Sequence, residues 1–536
     1  MVTSEPFRAG RISSGMKRLM LLGVLVATGC FRPVPTDNTP CPCGTGFDCC
    51  AATQMCAPAG TCEGGGGGTG GGGAVEVSIE PVPLTTDGVA PSAWLLHGLM
   101  EPAELRLVGD TAYVLARAGS TCTAYRENSY VVSVSRFEFI AGAWTLSWTT
   151  RLPVEPSTAA SNVTMIATAS GVTVAGSGQV DGETPRGGRE AFVLRVNPDG
   201  SVPWIRRFAT LFDDGATRLL ARPNGKVLAA GTTGGGIEGN VSHGSDDVFL
   251  AMLRDDGTVE WVRQFGSSGY ELPYNLIALD GEDFVVAGST SGELEPGATV
   301  TSNSFFIRKY DGSGSAAWTK QHAFAGDSVA IRWASGFAVA DVARMSVTAR
   351  LDVAGNLEWS QLSPPRTFGG LGQLQAIDDD RAVVHALQTL DAQGPGTYPT
   401  RELVEQVWSS DGGVTNTAGL GGGWPRQNRA LWEPVVNHRA DGAWFVAGSG
   451  VTNDHKNNIF SMSVYAPFGG TRLAHSDWFF SGPEYGVVTS SLDSYSIAVP
   501  LSLEFTPTSA VVLLSRIVWN DCPESGGWLS LTSTQP

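Results

Sequence analysis

Lysine is scarce: the 536 residues hold only Lys17, Lys226, Lys309, Lys320 and Lys456, and charged residues of all kinds reach only 16%. The formal net charge is −17. Such a chain repels phosphate backbones and has no basic patch to offset that, which excludes nucleic acid as a partner. The apolar stretch Leu19–Ala27 is too short for a bilayer, which needs about 20 residues. Catalytic signatures are missing too: there is no P-loop, no H-E-x-x-H and no G-x-S-x-G. Gly234, Gly236 and Gly239 match G-x-G-x-x-G formally, but they stand in a loop between strands, without the following helix that phosphate binding requires. The seven histidines, at 97, 243, 322, 385, 438, 455 and 475, show no ligand spacing. Asp378-Asp379-Asp380 occupy a hairpin-turn position, where acidic residues are ordinary turn formers. No catalytic residue, cofactor or metal is therefore expected.

What is abundant is glycine, 68 residues, within a chain that is 42% hydrophobic. That combination suits short half-buried strands joined by tight turns and argues against disorder of the main body. At the N-terminus, Met16-Lys17-Arg18 precedes the apolar run, and small residues Ala27-Thr28-Gly29 precede Cys30, the pattern of a signal peptide over residues 1–29 whose true start is Met16. The segment ending at Cys30 resembles the lipobox of bacterial lipoproteins, which implies a lipid on the Cys30 thiol, within a lipidated tether over 30–40. Phe31 follows where an aspartate retains some lipoproteins at the inner membrane, so the same resemblance implies the outer membrane, on its periplasmic or surface face. Cys41, Cys43, Cys49, Cys50, Cys56 and Cys62 then crowd a 41–62 segment without histidine. In an oxidising compartment this predicts a small disulfide knob rather than a zinc site, its pairing open among fifteen arrangements. Residues 63–74 form a glycine-rich linker reaching roughly 18 Å as a random coil.

From about residue 104 the chain repeats, and residues 75–536 are expected to form one all-β body. In the clearest unit, Asp246–Leu253 and Val259–Phe265 flank an Asp-Asp-Gly turn, a strong hairpin signal, and a second hairpin turns at 280–283. Trp148, Trp204, Trp261 and Trp318 recur at 56–57-residue spacing, with Trp359 after a shortened unit, and Ala-Gly strand endings recur at 175–176, 230–231, 287–288 and 447–448. One four-stranded sheet cannot bury both faces, so such units must stack around an axis. These residues resemble the SBBP-type bacterial β-propeller repeat, best over 246–291, through Gly257, Trp261, Phe265-Gly266 and Ala287-Gly288. The resemblance implies a propeller. Seven complete units are legible between 130 and 499, with orphan half-units at 105–116 and 510–516. If those two form one composite blade the count is eight, and seven is the alternative if one merely decorates an edge. Cys122 and Cys522 follow the two orphans closely, so their pairing would staple the ring where it closes.

Turns of a meander alternate between the two ends of a blade, so the tight Asp-Gly hairpins should share one face and the long loops the other. Long loops on a rigid scaffold are where recognition concentrates. That rim offers His243, Tyr270, Glu271, Trp424, Arg426, Asp454, His455 and Lys456 as candidate contact residues. The repeated tryptophans read as blade packing; their Asp-to-Trp spacing also resembles the Asp-box of sialidases and the tryptophan motif of quinoprotein propellers, which act as hairpin braces. The expected function is a non-enzymatic envelope lipoprotein, held to the membrane by its lipid, whose propeller is a binding scaffold for a protein or polysaccharide. The alternative is an envelope glycan hydrolase or lyase with its site at the channel mouth. A carboxylate pair about 5–10 Å apart there would favour the enzyme, and a Val-, Ala- and Gly-lined channel, as the strand sequences suggest, the scaffold.

Overall fold

Alternating apolar residues over short runs, punctuated by Gly and Asp, give strands throughout. The computed structural model describes residues 47–50, 55–58, 79–82, 99–119, 130–140, 143–156, 163–301, 303–325, 328–341, 347–362, 373–376, 378–390, 400–418, 432–438, 444–451, 458–465, 472–480, 495–505, 509–519 and 526–534. The chain divides into two units, Met1–Cys30, which lies outside the described residues, and Phe31–Pro536, which holds everything below. Among the described residues here, eight antiparallel sheets, seven of four strands and one of five, follow one another along the chain. Blade one is Leu99–Val108, Thr111–Gly119, Tyr130–Ile140 and Ala143–Arg151. Blade two is Thr164–Thr168, Gly171–Val180, Glu190–Val196 and Trp204–Phe208, with the short Val154–Pro156 also on Gly171–Val180. Blade three is Asp214–Ala221, Val227–Thr233, Asp247–Leu253 and Val259–Phe265. Blade four is Glu271–Ala278, Phe284–Thr290, Ser304–Tyr310 and Ala316–Ala325. Blades five, six and seven repeat the pattern from Val329, Gln373 and Trp432. Blade eight is Tyr495–Phe505, Ser509–Trp519 and Gly526–Thr534, with Ile79–Val82 as its outermost strand.

The first strand of each blade touches the first strand of the next, and that of blade eight returns to blade one. The ring is closed, an all-β propeller of eight blades. Its closure differs from the sequence expectation. Residues 105–116 are no orphan: Leu105–Leu107 pair with Ala112–Val114, and that second strand pairs with Tyr130–Ile140 inside a complete first blade. Residues 510–516 lie within the second strand of blade eight. The strand that crosses the seam is Ile79–Val82, with Ile79 opposite Thr534 and Val82 opposite Leu531. The repeat unit that begins at Asp246 is half a blade out of phase with the sheets, because the long 234–246 connection lies inside blade three. Hydrogen bonding runs across that loop, Gly231 opposite Phe249, whereas no ladder joins Val259–Phe265 to Glu271–Ala278 across a much shorter link.

Alternation along each strand feeds two different cores. Ala229 faces blade two, packed with Phe208, Trp204 and Phe249, while its neighbours Leu228 and Ala230 join Phe284 and Phe306 of blade four. The recurrent tryptophans tie the blades together. Trp204 Nε1 donates to Asp255 O at 2.8 Å, in the outer hairpin turn of the next blade, and Trp148 does the same to Pro198 O and Trp359 to Ser410 O. Each ring lies on a turn glycine held at positive φ: Gly200, Gly257, Gly314, Gly355 and Gly412. No side chain but hydrogen leaves room for the ring there and tolerates that backbone. Two residues on, Thr150, Arg206, Arg263 and Gln361 each donate to that glycine's carbonyl oxygen.

Within 41–62, strands Phe47–Cys50 and Met55–Pro58 pair with Cys49 opposite Cys56. Cys50 closes the first of these strands, opposite Met55; Cys41, Cys43 and Cys62, like Cys30, Cys122 and Cys522, lie outside the described residues.

Candidate binding rim

The meander places two kinds of connection at opposite ends of each blade. The tight turns around Gly200, Gly225, Gly257 and Gly281 share one end. The other end carries 181–189, 234–246 and 291–303, alternating with the blade-to-blade links 209–213 and 266–270. This is the segregation read from the sequence.

These loops are built, and they interlock. Asp214, at the start of the innermost strand of blade three, accepts from Thr210 N at 2.6 Å and Thr233 Oγ1 at 2.6 Å. Burial pushes its carboxyl upward from the ordinary range, and the Thr233 and Thr210 hydrogen bonds pull against that. One repeat later Glu271 makes the same brace to Ser267 N at 2.9 Å and Thr290 Oγ1 at 2.6 Å. The outermost strand pins the long loop from below. Gln264 Nε2 donates to Gly235 O and its Oε1 accepts from Ile237 N, and Gln321 does likewise with Gly292 O and Leu294 N. Arg207 holds the equivalent place in blade two, donating to Thr184 O and pairing with Glu183 and Glu190. Arg189 pairs with Asp213 at 2.8 Å, and those hydrogen bonds hold the Asp213 carboxyl low.

Glu271 therefore departs from its expected role. It is wholly buried, its two oxygens engaged by the link it braces, so it shapes the rim from beneath instead of contacting a partner. His243 stands at the surface with Nδ1 3.4 Å from Asp247 Oδ2, and Tyr270 is partly exposed. Trp424, Arg426, Asp454, His455 and Lys456 lie outside the described residues. Sequence reading passed over the rim's apolar members. Leu211 (76% exposed), Phe212 (60%), Val241 (71%) and Val300 (46%) stand on 209–213, 234–246 and 291–303 of consecutive blades. Leu211-Phe212 carried a legible signal, two large apolar residues in a link too short to bury them.

The innermost strands are also more polar than expected. Glu104, Arg218 and Asn275 each follow a β-bulge. Each reaches the neighbouring blade's first strand: Met165 N donates to Glu104 Oε2 at 2.7 Å, Arg218 Nε donates to Tyr274 O and Asn275 Nδ2 donates to Ala330 O. An innermost strand has an unpaired edge, and these side chains satisfy it. Burial raises Glu104 and lowers Arg218 from their ordinary pKa values. The Val-, Ala- and Gly-lined expectation is thus incomplete, though these polar groups brace blades. Among the described residues no group of three or more His, Cys, Asp or Glu converges, and no helix is long and apolar enough to cross a membrane.

The fold and rim define the class: an eight-bladed propeller with one loop-built face. No protein-family model matches the chain, and no curated protein matches it. Among solved structures it is similar to the polysaccharide lyase Uly1, at 8% identity over 85% of this chain and 92% of that one, TM-score 0.37. It is similar also to an alpha-L-arabinofuranosidase of Fusarium graminearum, at 12% identity over 58% and 93%, TM-score 0.32. A third is the Synechocystis apocarotenoid oxygenase, at 9% identity over 73% and 99%, TM-score 0.36.

Proposed function

We propose that this protein is a lipid-anchored, non-enzymatic scaffold of the cell envelope whose propeller binds a protein or polysaccharide through its long-loop rim. The observation that carries the reading is the exposure of Leu211, Phe212, Val241, Tyr270 and Val300 along one interlocked strip of that rim. Exposed apolar groups on neighbouring loops of a rigid frame, with the Arg189–Asp213 ion pair beside Phe212, suit the centre of an interface. Three of the five are aliphatic, which favours a protein surface over a sugar face. The lipobox-like Cys30 and the glycine linker would hold this wheel near the membrane without fixing its orientation.

The test is capture from solubilised envelope on residues 75–536 immobilised at the N-terminal end, with eluates analysed for protein and carbohydrate. A partner retained by the native rim and lost with Leu211→Ser/Phe212→Ser, at unchanged unfolding midpoint, supports the scaffold. Equal capture by both chains removes the rim from the reading. Anchoring is checked separately: Cys30→Ser should move the protein from the detergent phase to the aqueous phase.

A further inference from the structure

We infer that blade three carries a cation site between Asp247 and Glu271, with calcium the ion it suits. The two carboxyl groups are wholly buried. Both face Gly266: a methyl group there would overlap Asp247 Oδ1 and lie 2.8 Å from Glu271 Oε2. The two oxygens are thus within reach of one ion, for which calcium–oxygen distances run to about 2.3–2.6 Å. Glu271 is held by Ser267 and Thr290, and Asp247 Oδ2 by His243 N and Gln264 Nε2. Asp247 Oδ1 is left buried with no hydrogen-bond partner. A buried carboxylate oxygen without a donor is costly, and a second acid beside it adds repulsion.

The repeat supplies its own controls. One blade earlier the equivalent acids are Glu190 and Asp214, and there Arg207 Nη1 provides a counter-charge 3.2 Å from Glu190. One blade later both positions are serine, Ser304 and Ser328, and no counter-charge is needed. Blade three keeps two acids but has the neutral Gln264 where blade two has Arg207. Among the described residues the pair has no Lys or Arg partner, and the surface imidazole of His243 stands on the far oxygen of Asp247. A missing guanidinium beside two buried carboxyl groups is the place for a hard, oxygen-seeking ion, its remaining ligands backbone carbonyls and water. With two carboxylates the affinity belongs with extracellular modules, Kd on the order of 10⁻⁴–10⁻³ M. Bound there, the ion would clamp the link 266–270 and loop 234–246 under the rim.

The experiment is thermal unfolding of the full chain, stripped with chelator and then titrated with CaCl₂ or MgCl₂. The midpoint should climb with the logarithm of calcium concentration above Kd, and less with magnesium, which demands near-ideal octahedral geometry and dehydrates reluctantly. Asp247→Asn should abolish the calcium-dependent rise while leaving the ion-free midpoint equal to or above that of the native chain. Gln264→Arg, which restores the blade-two arrangement, should do the same without touching either acid, and decides the matter if Asp247→Asn does not fold. A native midpoint indifferent to calcium overturns the site, as does a calcium response that survives in Gln264→Arg.

Discussion

Consider replacing Gly257 by alanine. The residue sits at φ +79 in the outer turn of blade three, and a methyl on it would lie 2.5 Å from Cγ and Cδ2 of Trp204. Two costs separate cleanly. A left-handed backbone with a Cβ costs about 1–2 kcal/mol. Displacing a ring that is 8% exposed and donating from Nε1 to Asp255 O at 2.8 Å adds an overpacking cost of about 1–3 kcal/mol. The sum is about 2–5 kcal/mol. Gly281 provides the control: φ is +70, yet nothing lies within 4 Å of the added methyl, so Gly281→Ala should cost only the backbone share, about 1–2 kcal/mol. In a Trp204→Ala background the ring is gone, and Gly257→Ala should shrink to the Gly281→Ala value. Urea unfolding followed by tryptophan fluorescence, run on the four chains of this cycle plus the control, reads the differences as shifts in midpoint at constant slope. Equal costs at Gly257 and Gly281, or a Gly257→Ala cost unchanged by removing Trp204, would falsify the account of the turn glycines as seats for the preceding blade's tryptophan.

Other consequences are independent of that latch. A chain beginning at residue 84 loses Ile79–Val82 from blade eight and should unfold at a clearly lower urea midpoint than one beginning at 75; equal midpoints would mean the seam holds without that strand. Cys122 and Cys522 stand three residues beyond Gly119 and Trp519, the ends of the second strands of the two blades flanking the seam. We expect them in one disulfide-linked peptide pair by non-reducing mass mapping, and finding both as free thiols would refute the staple. Cys49 and Cys56, opposite in register, should form a second such pair, since opposed strand residues have Cα separations of about 4.5–5.5 Å, within disulfide range. His322 is held below the ordinary imidazole pKa first by burial, against the Gly355 carbonyl and Glu295, which favour its charged form. A depressed folded pKa contributes stability above about 6.5 that is lost as pH falls through it. The native unfolding midpoint should therefore drop between about pH 7 and 5 more steeply than that of His322→Gln, and parallel profiles would rule His322 out as the cause.

The propeller was legible because its signal is redundant. Asp-Gly turns, tryptophans at 56–57-residue spacing and Ala-Gly strand endings each mark the period independently, and any one could fail, as Asn416 in place of tryptophan does, without losing it. Phase was a different matter. Period fixes how often a sheet begins, whereas phase depends on which loop the hydrogen bonds cross, and loop length argues for the wrong one. Ile79–Val82 carries no repeat landmark at all. It reads as an isolated Ile-Glu-Pro-Val, and only the free outer edge of Gly526–Thr534, more than 440 residues away, makes it a strand.

The rim was legible in position but not in chemistry, and Glu271 shows why. Sequence marks it as a charged residue beside Tyr270 in a loop, which is how a contact residue looks. What distinguishes a brace from a contact is the partner of each oxygen, and those partners, Ser267 and Thr290, are ordinary residues when read alone. The repeat nevertheless holds the distinction in comparative form. Asp214 and Thr233 recur 57 residues later as Glu271 and Thr290, and a pair that travels together at the repeat period is bound to the scaffold. A group meant for a partner is under no such constraint and should break the period. By that criterion Leu211 and Phe212 stand out, because the matching positions of the next link are Ser268 and Gly269, small and polar. Departure from the repeat, more than residue type, is what separates the rim's proposed binding surface from its frame.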